Sequence, residues 1–112
     1  MLFVVFCHDK PVGGAEIRRR VRRDHLQFVV EHQQAFRYGG PLLSESGQTV
    51  GSLMILEAID RTALDRFLEI EPYCKSGLFE TVIIRPSRQV VPETAPGLLA
   101  QELARESEQS RQ

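Results

Sequence analysis

The apolar run at the start of the chain most constrains its fold. Leu2 to Cys7 form an unbroken series of apolar side chains, most of them β-branched or aromatic, which is typical of a strand buried on both faces in the middle of a sheet. The run stops at polar residues 8–10 and is far shorter than the roughly 18 residues that a membrane span needs. It also lacks the basic leader of a signal peptide. We therefore expect a central strand and no membrane anchor or signal peptide.

Along the rest of the chain, the spacing of apolar residues changes several times between that of a helix and that of a strand. We predict a helix at 14–36, strands at 38–43 and 50–59, a helix capped by Asp60, and a strand at 78–84. Pro72 ends the second helix and Pro86 the last strand. The resulting order, β-α-β-β-α-β, predicts an α+β, ferredoxin-like fold, in which a four-stranded antiparallel sheet carries both helices on one face.

This fold leaves the second face of the sheet uncovered. Alternate residues on that face are apolar in at least three of the four predicted strands. A domain of 112 residues has no further element to cover them except its own tail or another copy. We expect a homodimer that packs sheet against sheet.

Charge and cysteine content narrow the class of function. Fourteen basic residues oppose 15 acidic ones, which gives a formal charge of −1, so no global field favours nucleic acid or an anionic membrane as a partner. Cys7 and Cys74 are the two cysteines, and their spacing favours reduced thiols and a cytoplasmic protein. Neither a GxGxxG motif nor a P-loop follows the first strand, so we expect no cofactor.

Five arginines crowd six positions of the first predicted helix: Arg18, Arg19, Arg20, Arg22 and Arg23. Close like charges repel by a few tenths of a kcal/mol per pair, so we expect a counter-charge from Glu16 and Asp24, from a partner subunit or from an anion. A solvated face is one interpretation. The functional one is that Arg22 clamps a substrate carboxylate with two hydrogen bonds. Nucleic-acid binding is less favoured, because no stacking aromatic residues alternate with the arginines.

Two titratable side chains are candidates for an acid–base pair. His25 lies on the apolar stripe of the first predicted helix, and Glu71 lies where the second helix breaks before Pro72. A carboxylate that contacts an imidazole fixes its tautomer and makes the free nitrogen a general base near neutral pH. The alternative is a core histidine with satisfied hydrogen bonds and a turn carboxylate without a chemical role.

Three further residues are candidate substrate contacts: His8, Ser44 and Tyr73. Strand ends and the loops after them commonly carry sites, although histidine and serine are also ordinary turn residues there. No GxSxG motif surrounds Ser44, so it is not expected to be a nucleophile. Histidines and cysteines of the chain have no HxxxH or CxxC spacing, and we predict no metal site.

Several short motifs together resemble the YCII-related family. They are the opening strand with Asp9-Lys10-Pro11, the segment from Arg22 to Leu26, Gly40-Pro41-Leu42, Leu56-Glu57-Ala58, and Glu71-Pro72-Tyr73 followed by Gly77-Leu78-Phe79. Their order and spacing are more specific than any one of them. The resemblance runs from residue 1 to about 88, so we expect a ferredoxin-like domain over 1–88. Residues 89–112, rich in Pro, Gln, Glu and Ser, form a C-terminal extension that is partly helical or disordered.

The resemblance implies a dimeric α+β barrel, similar to muconolactone isomerases, whose active site is built on a histidine and an aspartate. The histidine corresponds to His25. The family usually has Asp-Pro where this chain has Glu71-Pro72, so the carboxylate is kept but lengthened by one methylene group.

Two functions from different classes are favoured, and binding of an anion or a nucleic acid by the arginine cluster is a third possibility. The first is a cofactor-independent enzyme, an isomerase, a lactone-hydrolysing enzyme or a lyase, that uses His25 and Glu71 on a small cyclic or phenolic compound. The second is a non-catalytic dimeric module that binds a small ligand or a protein in the same cavity. The distance between His25 and Glu71 discriminates between them, because the enzyme has no other acid–base chemistry.

Overall fold

The computed structural model describes residues 1–109 of the chain. Its elements are β1 (Leu2–Asp9), α1 (Gly14–Glu31), β2 (Phe36–Leu43), β3 (Thr49–Glu57), α2 (Arg61–Ile70), α3 (Pro72–Lys75), β4 (Phe79–Ser87) and α4 (Leu98–Gln109). The strands form one antiparallel sheet in the order β2-β3-β1-β4. This order places β1 in the centre, and the predicted α+β, ferredoxin-like fold is confirmed.

The strand β1 alternates between the two faces of the sheet. Phe3, Val5 and Cys7 are at most 2% exposed, and they point towards the helices. The core that they build also contains Met54 and Leu56 of β3 and Leu64 and Leu68 of α2. Burial of one large apolar side chain stabilises a fold by about 1.5–3 kcal/mol. On the opposite face, Leu2, Val4 and Phe6 are only partly buried in the single chain, so the expected burial on both faces is not complete within one copy.

The starts of the two long helices follow from local sequence. Asp60 is the N-cap of α2, and its carboxylate accepts a hydrogen bond of 2.8 Å from the backbone N–H of Ala63, as predicted. Gly13 precedes α1 with a φ of 85°. That left-handed conformation suits glycine, because a side chain there would be strained. The helix α1 therefore begins at Gly14, as predicted.

The end of α1 differs from the prediction. The helix ends at Glu31 instead of residue 36, a 3₁₀ turn follows at Gln33–Ala35, and β2 begins at Phe36. The Nδ1 atom of His32 lies 2.8 Å from the carbonyl oxygen of Phe28 and closes the last turn. Phe36 continues the helical spacing of the apolar residues of α1, but it reaches the core from a strand. The centroid of its ring lies 5.9 Å from that of the Phe67 ring. Apolar periodicity alone does not separate these two placements.

Two further predictions about where elements begin and end are wrong. The strand β4 continues to Ser87, past Pro86, because β4 lies at the edge of the sheet, where a residue without an N–H is tolerated. Residues after Glu71 were expected to form a turn, but Pro72–Lys75 form the short helix α3. None of the helices within residues 1–109 has both the length and the apolar character needed to cross a membrane.

Candidate active site

A cavity of about 520 Å³ lies between α1, β2, β3 and α3. Its wall includes apolar side chains such as Val29, Phe36, Met54 and Phe79. Its polar part includes Arg18, Arg22, His25, Ser52, Glu71 and Tyr73. A mostly apolar wall with a few converging polar groups is typical of a small-molecule site.

His25 and Glu71 meet in this cavity. The Nδ1 atom of His25 lies 2.5 Å from Oε1 of Glu71, across 46 residues of sequence. The other carboxylate oxygen, Oε2, accepts a hydrogen bond of 2.8 Å from the backbone N–H of Cys74. The side chain of Glu71 is 0% exposed, whereas that of His25 is 20% exposed. The carboxylate is therefore buried behind the imidazole, and the imidazole reaches the cavity.

The position of Glu71 comes from the break between α2 and α3. Glu71 is at once the residue after α2 and the N-cap of α3, and Pro72 occupies the first turn of α3. Proline suits that position because the first N–H groups of a helix have no partner within it. The extended backbone at Glu71 allows one carboxylate both to cap α3 and to reach α1. The extra methylene group relative to aspartate is accommodated in this arrangement.

The ionisation of Glu71 fixes the role of each nitrogen of His25. Burial tends to raise the pKa of Glu71, but the hydrogen bonds from His25 and from the Cys74 backbone outweigh it and hold that pKa below its usual value. Glu71 is thus an ionised acceptor at neutral pH, and Nδ1 of His25 must donate to it. In the neutral ring, Nε2 then carries the lone pair. In this arrangement the carboxylate orients the ring, and Nε2 is the nitrogen that can accept a proton.

Tyr73 holds the imidazole from another side. The rings of His25 and Tyr73 are stacked, with centroids 3.9 Å apart and an interplanar angle of 13°. Tyr73 is 2% exposed and follows the capping residue by two positions in α3. The short helix therefore supplies both the hydrogen-bond partner of His25 and the surface against which its ring packs.

The remaining residues that were predicted to contact a substrate lie in different parts of the structure. Arg22 lines the cavity from the exposed side of α1. His8 is exposed, and its ring packs edge to face against Phe6 at 4.9 Å, on the face of the sheet away from the helices. Ser44 lies in the β2–β3 turn, where its hydroxyl contacts Ser46 and accepts from the N–H of Gln48. The structure thus brings Arg22 and Tyr73 to the His25–Glu71 pair, and places His8 and Ser44 elsewhere.

The arginine cluster of α1 does not act as one unit. Arg18 turns inward and forms an ion pair with Asp9, with side chains only 14% and 8% exposed. Arg19 pairs with Glu16 at the surface. Within residues 1–109, Arg20, Arg22 and Arg23 form no ion pair. Sequence reasoning predicted Glu16 as a counter-charge but missed Asp9, because the contact depends on how α1 lies across the end of β1.

Burial keeps both thiols near the site in the protonated form at neutral pH. Burial raises the pKa of Cys7 to about 12, and the negative charges of Glu71 and Asp9 add to the effect. Burial also raises the pKa of Cys74, with Glu71 again contributing. A protonated thiol is a poor nucleophile and a poor metal ligand. Within the described part of the chain, no group of three or more His, Cys, Asp or Glu side chains is placed to hold a metal ion.

Comparison with known proteins identifies relatives of this architecture. A family model described as the YCII-related domain matches residues 1–88. A solved structure of 5-chloro-2-hydroxyhydroquinone dehydrochlorinase (TftG) from Burkholderia phenoliruptrix AC1100, in complex with 2,5-dihydroxybenzoquinone, is similar at a TM-score of 0.75 and 26% sequence identity. The match covers 83% of this chain and 99% of that chain. A comparison with curated proteins finds no match.

The substitution Glu71→Gln tests the ionised state of the buried carboxylate. Because the folded-state pKa of Glu71 lies below 4.5, its ionised form stabilises the fold above about pH 4.5, and this contribution is lost as pH falls through the lowered pKa. We expect wild-type protein to exceed the variant in free energy of unfolding by roughly 1–3 kcal/mol at neutral pH, with a smaller difference in acid. Urea denaturation across this pH range measures it.

The control for this experiment is Glu69→Gln, which removes an exposed carboxylate two residues earlier in the chain. That variant should follow the wild-type curve. A stability difference between wild type and Glu71→Gln that stays constant from neutral pH to well below pH 4.5 would contradict the lowered pKa.

Proposed function

The chain belongs to the YCII-related family, and on that premise we propose that it is an enzyme that eliminates HX, a hydrogen halide, from a small oxygenated six-membered ring. The observation that carries the proposal is the hydrogen bond between His25 and the buried carboxylate of Glu71 inside a cavity. The similar dehydrochlorinase, with its bound 2,5-dihydroxybenzoquinone, supports both the reaction class and the kind of ring. All residues of this site lie within 1–88, which we take as the catalytic unit.

The cavity has a suitable size for such a substrate. Small-molecule sites commonly enclose about 300–1,000 Å³, and this one encloses about 520 Å³. Its apolar wall can pack against both faces of a ring. The polar groups at one side then decide how the ring is turned relative to His25.

The proposed reaction uses His25 as a proton shuttle. For a chlorinated hydroxyhydroquinone, Nε2 accepts the proton of a ring hydroxyl and delivers it to the carbon that bears chlorine, which becomes tetrahedral. Chloride then leaves with the bonding electron pair as a second hydroxyl loses its proton to Nε2, which is neutral again after the first transfer and passes that proton to solvent. The carbon–chlorine bond is replaced by a carbon–hydrogen bond while the ring becomes a quinone, so the reaction balances without an external oxidant.

Glu71 supports both halves of this shuttle. It keeps the neutral ring of His25 in the form with the proton on Nδ1, and its negative charge stabilises the imidazolium that exists between the two proton transfers. Since the carboxylate is buried and hydrogen-bonded before substrate arrives, little reorganisation is needed during the reaction. Glu71 is therefore a positioning residue, and His25 is the catalytic one.

Substitution of His25 tests the proposal. We expect His25→Gln to lower the rate of chloride release from 5-chloro-2-hydroxyhydroquinone by roughly 10²–10⁴-fold, because a positioned acid–base group contributes that much. Glu71→Gln should lower it less, since the imidazole remains. An ion-selective electrode follows the chloride.

The matched control is His32→Gln, which removes the second histidine of the same helical region, whose ring stacks on Phe28 and is absent from the cavity wall. Its rate should stay close to that of wild type. If wild-type protein binds the compound but releases no chloride, the elimination proposal is wrong, and a non-catalytic ligand-binding module takes its place.

We also propose a homodimer that buries the uncovered face of the sheet. Directly paired residues share a face, and the register pairs Val4 with Ile55 and Phe6 with both Leu53 and Ile83. These apolar side chains are contiguous, and Ile83 is 46% exposed in the single chain. A second copy with the same face would remove this apolar surface from water.

The substitution Ile55→Glu places a charge in the middle of that face. We expect it to raise the dissociation constant of the dimer at least tenfold without unfolding the chain, because Ile55 is not part of the buried core. Light scattering after size exclusion measures the mass. Thr62→Glu adds the same charge at an exposed position of α2 and should leave the mass unchanged, and a monomeric wild-type protein would contradict the proposal.

A further inference from the structure

Arg18 is the most completely positioned cation of the cavity wall. Its Nε and Nη2 atoms donate to the two carboxylate oxygens of Asp9, at 2.9 and 2.8 Å. The same Nη2 atom lies 3.2 Å from the carbonyl oxygen of Gly51 and 3.0 Å from the hydroxyl oxygen of Ser52. The Nη1 atom takes part in none of these four hydrogen bonds. The guanidinium group is thus fixed along one edge and keeps its other edge for a further acceptor.

The side chain of Arg18 also stays protonated and positively charged. Burial tends to lower its pKa, but the hydrogen bonds and the negative charge of Asp9, together with a smaller contribution from Tyr73, outweigh burial, so that pKa is raised. Arg18 stays a cation in a partly buried position, where electrostatic interactions are stronger than at the surface. Arg18, Arg22 and Arg37 line the cavity together with a single carboxylate, that of Glu71. Arg18 and Arg37 are paired with Asp9 and Glu57. Attraction for an anion therefore rests on the remaining N–H groups of Arg18 and on Arg22, not on a net positive charge of the wall.

Tyr73 adds an unused hydrogen-bond donor beside this cation. The guanidinium carbon of Arg18 lies 4.7 Å from the centroid of the Tyr73 ring. The Tyr73 hydroxyl is buried and interacts with the Arg18 guanidinium, which has no acceptor atom to offer it, and among the described residues it has no hydrogen-bond partner of good distance and angle. Since a buried polar group without a partner costs about 1–3 kcal/mol, it marks a place where a ligand atom can supply the missing bond.

The Tyr73 ring contacts both Arg18 and His25, the proposed base. Arg18 and His25 are seven residues apart on α1, so they share a face and lie about 10 Å apart along the helix axis. The Tyr73 ring stacks on His25 and approaches Arg18. A single six-membered ring with oxygen substituents can span this interval. One oxygen would then face the base while another faces the donors.

We propose that Arg18 and the Tyr73 hydroxyl form a subsite for an oxyanion of the ligand, a phenolate or enolate oxygen. A role of this subsite in catalysis rests on the proposed function. In that reaction an oxyanion develops on the ring when His25 removes a proton. Donors fixed in advance at the position of a developing negative charge stabilise the transition state. Arg22, which the sequence predicts as the clamp, is exposed, whereas Arg18 is held in a partly buried position by Asp9.

Removal of the tyrosine hydroxyl tests the subsite by binding alone. The probes are 4-nitrophenolate and the neutral 4-nitrotoluene, which have a similar shape, and the first reports its ionisation by its visible absorption. Wild-type protein should prefer the anion. Tyr73→Phe should weaken binding of 4-nitrophenolate roughly tenfold or more, as expected for a hydrogen bond to a charged group, and leave 4-nitrotoluene unaffected.

Three further variants sharpen the test. Arg18→Lys keeps a cation next to Asp9 but loses the planar fork, so it should also reduce the preference for the anion. Ser44→Ala removes a hydroxyl that lies in the β2–β3 turn, outside the cavity wall, and should change neither affinity. His25→Gln should lower chloride release by roughly 10²–10⁴-fold yet keep the preference for 4-nitrophenolate, which separates failure of the subsite from failure of the proposed reaction.

The proposal is overturned if wild-type protein shows no preference for 4-nitrophenolate. It is also overturned if Tyr73→Phe weakens both probes equally, because the hydroxyl would then have only a structural role. Retained preference in His25→Gln without chloride release from wild type would leave the subsite in place and refute the elimination chemistry.

Discussion

The hydrogen bond between His25 and Glu71 joins the parts of the structure that make the site. It links α1 to the junction of α2 and α3 across 46 residues, and it satisfies a carboxylate that is 0% exposed. Removal of one partner of a buried hydrogen bond typically costs about 1–3 kcal/mol, and more where a charged group is left without a partner. The position of α1 over the cavity and the ionisation of Glu71 therefore depend on the same contact, so stability and the chemistry of the site are coupled.

Sequence patterns predicted the architecture well for particular physical reasons. The run from Leu2 to Cys7 has no polar residue and therefore indicates a central strand, and Asp60 caps α2 through a local contact. Predictions failed where local patterns were ambiguous. Phe36 fits both a helix and a strand until its contact with the core is known, and Pro86 is tolerated only because β4 lies at an edge.

The site was partly accessible from sequence. His25 on an apolar stripe and Glu71 at a helix break were recognisable, and resemblance to a family linked them. The inward orientation of Arg18 could not be predicted, because five similar arginines carry no local signal that separates one from the others. That distinction comes from Asp9 at the end of β1 and from Ser52 of β3, which are neighbours of Arg18 only in the folded chain. The unpaired hydroxyl of Tyr73 likewise depends on packing.

The central claim is that ionised Glu71 holds the proton of neutral His25 on Nδ1 and leaves Nε2 as the base. Nitrogen NMR of the His25 ring in the full-length protein measures this directly, at a pH where the ring is neutral, because protonated and unprotonated ring nitrogens have well-separated chemical shifts. The account predicts a protonated Nδ1 and an unprotonated Nε2. A proton on Nε2, or a mixture of both tautomers as in a free imidazole, would contradict it.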